Sequence, residues 1–240
     1  MPVQSGLFGS LQATSDLEKV LRLIGNYFLE RGVKMVAYHH HPPMGARDYE
    51  RPLVVIAFGF PENWVAEYME RNYERVDPIT RRAMRHTQPF WWSEITALEP
   101  GMRPQEKDYL KAMHRAQLGD GLAMPVFGPR GRNGYVGLGF GANARALPSH
   151  RVATFQMAAQ IAHQRYCEIL IDGFEHVRVS PREEEILSWA ARGKSNTVIA
   201  DILGVSSNTV DTHFRRIFAK LGVNERVTAV LRGLALGLVV

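Results

Sequence analysis

The feature that most restricts this chain is a run of three short helical segments near its C-terminus, punctuated by glycines. Ser180-Pro181-Arg182-Glu183 reads as a helix start, with a hydroxyl to cap, a proline at the first helical position and acids facing the positive helix end. Ile186, Leu187 and Ala190 follow, and Gly193 stops the run. A second segment begins from a cap at Ser195 or Asn196, carries Val198, Ile199, Ala200 and Leu203, and ends at Gly204. A third begins at Ser207 or Asn208. Short helix, glycine-containing turn, second helix is the helix-turn-helix pattern.

The third segment separates into two faces at about 100° per residue. Phe214, Ile217 and Leu221 fall within about 40° of Val210 and form the inward face. Asn208, Thr212, Arg215, Arg216 and Ala219 lie opposite. Small residues permit close approach to a groove, and arginine bridges two acceptors on guanine or reaches phosphate. The competing reading is an ordinary solvated face, and the turn spacing before the helix argues against it. With Thr209 and Lys220 added, the candidate DNA-contacting set is Asn208, Thr209, Thr212, Arg215, Arg216 and Lys220.

Residues 1–173 read as mixed helix and strand. Leu17, Val20, Leu21, Ile24 and Phe28 recur at helical spacing after a possible cap at Ser15, with Glu18 three residues on as in a capping box. Val33 to Tyr38 and Leu53 to Phe60 are short apolar runs expected in one sheet, and His39, His40 and His41 are placed in the Pro- and Gly-bearing loop between them. Gly121 to Phe127 and Tyr135 to Phe140 form an expected hairpin, and Ser149 to Leu170 a long amphipathic helix. The expected organisation is an α/β domain over 1–173, a linker over 174–178 and an all-α helix-turn-helix domain over 179–240.

Charge does not single out the DNA-binding half. The chain carries +5 overall, and residues 174–240 hold 9 basic against 7 acidic side chains. The one cysteine, Cys167, excludes an internal disulfide and a multi-thiolate metal site. The N-terminus lacks a basic region followed by an apolar run, and the apolar stretch Val227 to Val240 is short and contains Arg232. No signal peptide or membrane span is expected, and a cytoplasmic protein is.

Ser180-Pro-Arg-Glu-x-Glu-Ile-Leu, Trp189-Ala-Ala-x-Gly-Lys-Ser-Asn, Ile199-Ala-x-Ile-Leu-Gly-Val-Ser, Thr209-Val-x-x-His213 and Lys220-Leu-Gly-Val together resemble the LuxR-type DNA-binding domain. Two positions depart from it: Asp211, where the family often has a basic residue, and Arg216, where it often has Asn. The phosphorylated receiver domains that share this output need an early acidic pair, and the first 60 residues have none.

Phe60-Pro-x-x-Trp64-x-x-x-Tyr68, Tyr73-x-x-x-Asp77-Pro78 and Pro89-x-x-Trp92 resemble the ligand-binding domain of LuxR-type quorum-sensing regulators. The resemblance implies an α/β/α sandwich around an antiparallel sheet that binds an N-acyl-homoserine lactone and needs no cofactor. It implies that the Trp64 indole donates to the lactone carbonyl and Asp77 accepts the amide N–H. Tyr68 would line the cavity beside the acyl chain, and Trp92 with Tyr109 would pack on the lactone ring. The roles suit the side chains, because an indole only donates and an ionised carboxylate only accepts. The structural alternative is that the aromatics are plain core and Asp77 caps a turn before Pro78.

Three departures bear on the ligand. Phe60 stands where several members have a Tyr, and Ile79 and Gly137 where some have Thr or Ser. They imply a less polar pocket near the amide, favouring unsubstituted or non-standard acyl groups. The implied partners are double-stranded DNA, the autoinducer and a second copy of the chain. The alternative is an orphan LuxR-type regulator that answers to another small molecule or binds DNA without one.

No catalytic or metal site is expected. The histidine run has no nearby Cys to complete a ligand set. The glycines at 134, 137, 139 and 141 lie within an apparent strand rather than before a helix, against a dinucleotide fingerprint. His163 and Cys167 share suggestive spacing only, and packing or a dimer contact is the expected role of the thiol.

Overall fold

A computed structural model describes residues 3–49, 54–141, 147–173 and 177–239. It forms two compact units, Met1–His41 with Leu53–Gly173, and Pro42–Pro52 with Phe174–Val240. Chain order places residues 42–52 in the first domain, and the described part of that segment, 42–49, groups with the second unit. Gly45, at φ +82°, comes so close to the backbone there that a Cβ would stand 2.5 Å from the Leu231 carbonyl carbon. Residues 174–176 of the expected linker lie outside the described residues.

The first unit opens with α1 (Val3–Gln12) and α2 (Leu17–Leu29). Asp16, not Ser15, caps α2: its Oδ1 accepts from the Glu18 and Lys19 amides at 2.9 and 3.2 Å. The carboxylate sits where it also faces the positive end of the helix. Five strands follow, β1 (Met35–His41), β2 (Val54–Phe58), β3 (Phe90–Trp91), β4 (Asp120–Phe127) and β5 (Asn133–Gly141), in the antiparallel order β2-β1-β5-β4-β3. The expected β4/β5 hairpin is present, closing through a short 3₁₀ turn at Pro129–Gly131.

The histidine run is strand, not loop. His39, His40 and His41 pair with Tyr135, Gly134 and Asn133 of β5. Both faces of the sheet are covered, so polar residues here are buried instead of marking a turn.

Alternation along the strands divides the core. Val36, Tyr38, Leu122, Met124, Val136 and Leu138 meet α2 and the long helix α7 (Ser149–Asp172), including Phe28 and Phe155. Each such fully buried side chain stabilises by roughly 1.5–3 kcal/mol. Met35, Ala123 and Tyr135 face the other side, covered by α3 (Glu62–Glu70), α4 (Pro78–Ala83), α5 (Ile95–Leu98) and α6 (Pro104–Arg115). This is the expected α/β/α layering.

The second unit is helical: α8 (Pro181–Ala191), α9 (Asn196–Leu203), α10 (Ser207–Leu221) and α11 (Arg226–Leu236). Ser180, Ser195 and Ser206 cap the first three through their hydroxyls. Ser206 starts α10 one residue before the earlier of the two expected caps. Gly204, Gly222 and Gly237 end helices in the left-handed conformation that glycine adopts without strain. Val210, Phe214, Ile217 and Leu221 form the buried face of α10 with Ile186, Leu187 and Ile199. Among the described residues, no helix is long and apolar enough to cross a membrane.

Candidate ligand cavity and nucleic-acid interface

A cavity of about 280 Å³ opens between the sheet and α3, α4 and α6. Phe60, Trp64, Tyr68, Asp77, Ile79, Trp92 and Tyr109, seven of the eight residues predicted from sequence, line it. On α3, Trp64 and Tyr68 stand one turn apart and share a face. Trp64 stacks with Tyr73 at 5.9 Å, and Tyr73 meets Tyr109 edge-on at 5.2 Å. Among the described residues, no acceptor for the Trp64 indole N–H is present.

Asp77 combines the two roles that its sequence context left open. Its Oδ1 caps α4, accepting from the Ile79 and Thr80 amides at 2.8 and 3.2 Å. Its Oδ2 accepts from the Thr80 hydroxyl at 2.7 Å and from the Tyr68 hydroxyl at 3.4 Å. Burial raises its pKa above the ordinary carboxylate value, while bonds from Thr80, Ile79 and Tyr109 partly offset that. An acceptor is thereby held at an apolar cavity wall.

Gly137 does not line the cavity. The place of its missing side chain is taken by the Tyr135 hydroxyl, 2.5 Å from an ideal Cβ, and by the Trp92 indole at 3.3 Å. A Cβ on Gly121 or Gly139 would also meet this indole, at 2.6 and 3.1 Å. Gly121, Gly137 and Gly139 are therefore the bed of Trp92, which donates to the Tyr135 hydroxyl at 3.1 Å. Polarity lost at Gly137 is returned by Tyr135, so the expected loss of polarity rests on Phe60 and Ile79 alone.

Two polar lining residues, His39 and Tyr135, were missed from sequence. His39 Nδ1 lies 3.4 Å from Thr80 Oγ1, whose one proton goes to Asp77. The imidazole therefore donates from Nδ1 and leaves Nε2 as an acceptor. Burial, helped by His41, pushes its pKa down to about 3, so it is neutral. Reading β1 two residues further, in the register of Ala37, would have found it.

The cavity wall is fastened from outside. Arg81 on α4 pairs with the fully buried Glu106 on α6, and Arg103 reaches the same carboxylate at 3.0 Å. Burial would raise the Glu106 pKa, but bonds from Arg103 and the Arg81 charge outweigh it and hold the group below its usual value. These pairs position Asp77 and Tyr109, which sit on the same two elements.

In the second unit, all six predicted contact residues are on exposed positions of α10. Among the described residues, no ion pair restrains Arg215 or Arg216. Lys220 differs from the expectation. Its ammonium is held 2.6 Å from Glu183 at the start of α8, because that buried carboxylate needs a cation. Burial would raise the Glu183 pKa, but the Lys220 and Ser180 donors lower it overall. The Thr212 hydroxyl bonds the Asn208 carbonyl at 2.9 Å. Asp211 accepts from Asn196, whose amide oxygen accepts from Arg226. The acid that departs from the family pattern thus ties α10 to α9 and α11.

A buried amphiphile cavity in one unit and an arginine-bearing helix-turn-helix in the other define a ligand-binding transcriptional regulator. Residues 16–166 match the autoinducer binding domain, and residues 178–232 match the bacterial regulatory proteins of the luxR family. The chain belongs to the LuxR family of transcriptional regulators, which are not enzymes. The transcriptional activator protein PhzR of Pseudomonas fluorescens is 31% identical over 79% of this chain and 77% of its own length. AnoR of Acinetobacter nosocomialis is 25% identical over 98% of each chain. The crystal structure of SdiA from Escherichia coli matches the fold with a TM-score of 0.71 at 20% identity, covering 95% of this chain and 94% of that one.

Proposed function

We propose that this regulator senses an N-acyl-homoserine lactone in the first unit and binds a near-palindromic DNA site as a homodimer in the cytoplasm. The observation that carries the reading is the buried Asp77 carboxylate on the wall of an apolar cavity, one helix away from a Trp64 donor without a partner among the described residues. Asp77 accepts the amide N–H, and Trp64 donates to the lactone carbonyl. Tyr68 flanks the amide, while Trp92 and Tyr109 pack on the lactone ring. Phe60 and Ile79 favour an unsubstituted or non-standard acyl group over a 3-oxo one.

Dimerisation runs through α7 and α11, which bring Met157 and Leu234, apolar residues exposed on those helices, to the interface. The two α10 helices then enter successive major grooves about one DNA turn apart, with Arg215 and Arg216 contacting bases or phosphates. Ligand present at about 100 times Kd adds roughly 2.7 kcal/mol to the ligand-binding unit, enough to switch its abundance.

Fluorescence anisotropy on labelled promoter fragments, with and without a graded lactone series, tests the assignment. Binding that depends on one unsubstituted lactone is the expected result. Strong preference for 3-oxo ligands removes the specificity argument. If no lactone alters DNA binding or melting temperature, the input is a different small molecule.

A further inference from the structure

Two sequence features remain outside the cavity and the DNA face: His40 of the histidine run, and the His163/Cys167 pair on α7. The fold joins them. Strand alternation sends His39 to the cavity and His40 to the opposite face of the sheet, where its ring lies 6.1 Å from that of His163. There His40, His163 and Cys167, all buried, present two nitrogens and a sulfur within 4.8 Å of one another.

The spacing matches a coordination sphere. His163 Nε2 and Cys167 Sγ are 3.5 Å apart. That is about the edge of a tetrahedron with bonds of roughly 2.0–2.1 Å to nitrogen and about 2.3 Å to sulfur. The Arg132 carbonyl oxygen lies 2.9 Å from the same Nε2 and 4.0 Å from the sulfur. Gly128 packs its backbone directly against these atoms: an ideal Cβ there would stand 2.3 Å from the oxygen, 2.8 Å from Sγ and 3.1 Å from Nε2, so a side chain at this position would displace the donors. The other nitrogen of His163 is held by the Tyr38 hydroxyl at 2.8 Å, the kind of outer bond that orients a metal-binding imidazole.

We propose that His40, His163 and Cys167, with the Arg132 carbonyl as fourth donor, form a site for a borderline-soft divalent ion of the zinc type. Two imidazoles and a thiolate select such ions over magnesium or calcium. On binding, the thiol loses its proton to solvent. The His163 proton moves from Nε2 to Nδ1, where the Tyr38 oxygen accepts it, and the Nε2 lone pair faces the ion.

The test is titration of the full chain with Co²⁺, followed by absorbance. One Co²⁺ per chain is expected, with a thiolate-to-cobalt band in the near ultraviolet, the visible bands of a four-coordinate ion, and displacement of both by Zn²⁺. Cys167→Ala removes the near-ultraviolet band, and His40→Asn weakens binding by at least about 100-fold, with far-ultraviolet dichroism confirming that both variants fold. On the unmodified chain, Zn²⁺ slows alkylation of Cys167. The proposal is overturned by absence of the band, by its survival in Cys167→Ala, by unchanged affinity in His40→Asn, or by an alkylation rate indifferent to Zn²⁺. The cluster is then a polar fastening of β1 and β5 to α7 without a metal.

Discussion

In the second unit the bonds that start helices reach three residues: Ser180 to Glu183, Ser195 to Val198, Ser206 to Thr209. In the first unit the buried bonds that join its layers reach further along the chain. Arg81 to Glu106 spans 25 residues, Trp92 to Tyr135 spans 43 and Tyr38 to His163 spans 125. The first unit also buries titratable groups in apolar surroundings. In the second, the buried carboxylate of Glu183 sits beside a lysine. A unit assembled from local signals tolerates changes in its surroundings better than one assembled from distant buried polar contacts.

Mild acid should separate the two most strongly. Burial pushes His39, His41 and His163 from 6.5 down to about 3, 4 and 4. Each stays neutral in the fold while the unfolded chain takes up protons below 6.5. The stability they contribute is present above pH 6.5 and lost as pH falls toward 4. Between pH 7 and 5 the loss is roughly 2 kcal/mol per histidine. Glu183, held low, loses its contribution only as pH falls below 4.5. Hydrogen exchange read by mass spectrometry at the two pH values should show the first unit loosening alone. Parallel loosening would break the comparison.

Phe214→Ala tests the converse. It empties the core of the second unit and should cost about 3–5 kcal/mol there, with exchange protection in the first unit unchanged. Asp77→Asn separates site from scaffold. Asparagine still caps α4, but the charged acceptor is gone, so affinity for an acyl-homoserine lactone should fall by about 1.5–3 kcal/mol while melting temperature holds. Calorimetric titration decides it, and unchanged affinity would return Asp77 to a capping role alone.

Arg215→Ala should weaken DNA binding by about 1–3 kcal/mol in anisotropy titrations at fixed salt, leaving the lactone affinity unaltered. The smallest effect belongs to Ser206→Ala, which removes the cap of α10 and should cost about 1 kcal/mol in the second unit. A much larger loss would mean that this helix depends on more than its local signals.

The same contrast explains which residues could be read in advance. The helix-turn-helix was legible because caps, glycine stops and a 3.6-residue period are properties of neighbours in sequence. Trp64, Tyr68 and Asp77 were legible through a resemblance, and the helix face that Trp64 and Tyr68 share follows from spacing. His39 and Tyr135 were not, because a strand covered on both faces gives no polar–apolar alternation to read. Lys220 was on the expected face, yet its partner Glu183 lies 37 residues away.

By itself, then, the sequence determined the family, the layered α/β domain, the helix-turn-helix and seven of the residues that line the cavity. The helices follow from local propensity and periodicity, while the layering and the cavity residues follow from motifs that resemble a known family. Only the tertiary structure decided that Gly121, Gly137 and Gly139 make room for Trp92, that Asp77 both caps and faces the cavity, and that consecutive histidines on β1 serve opposite faces of the sheet. Each of these is a meeting of residues far apart in the chain, and which of them meet is set by strand register and layer packing, which no short window of sequence contains.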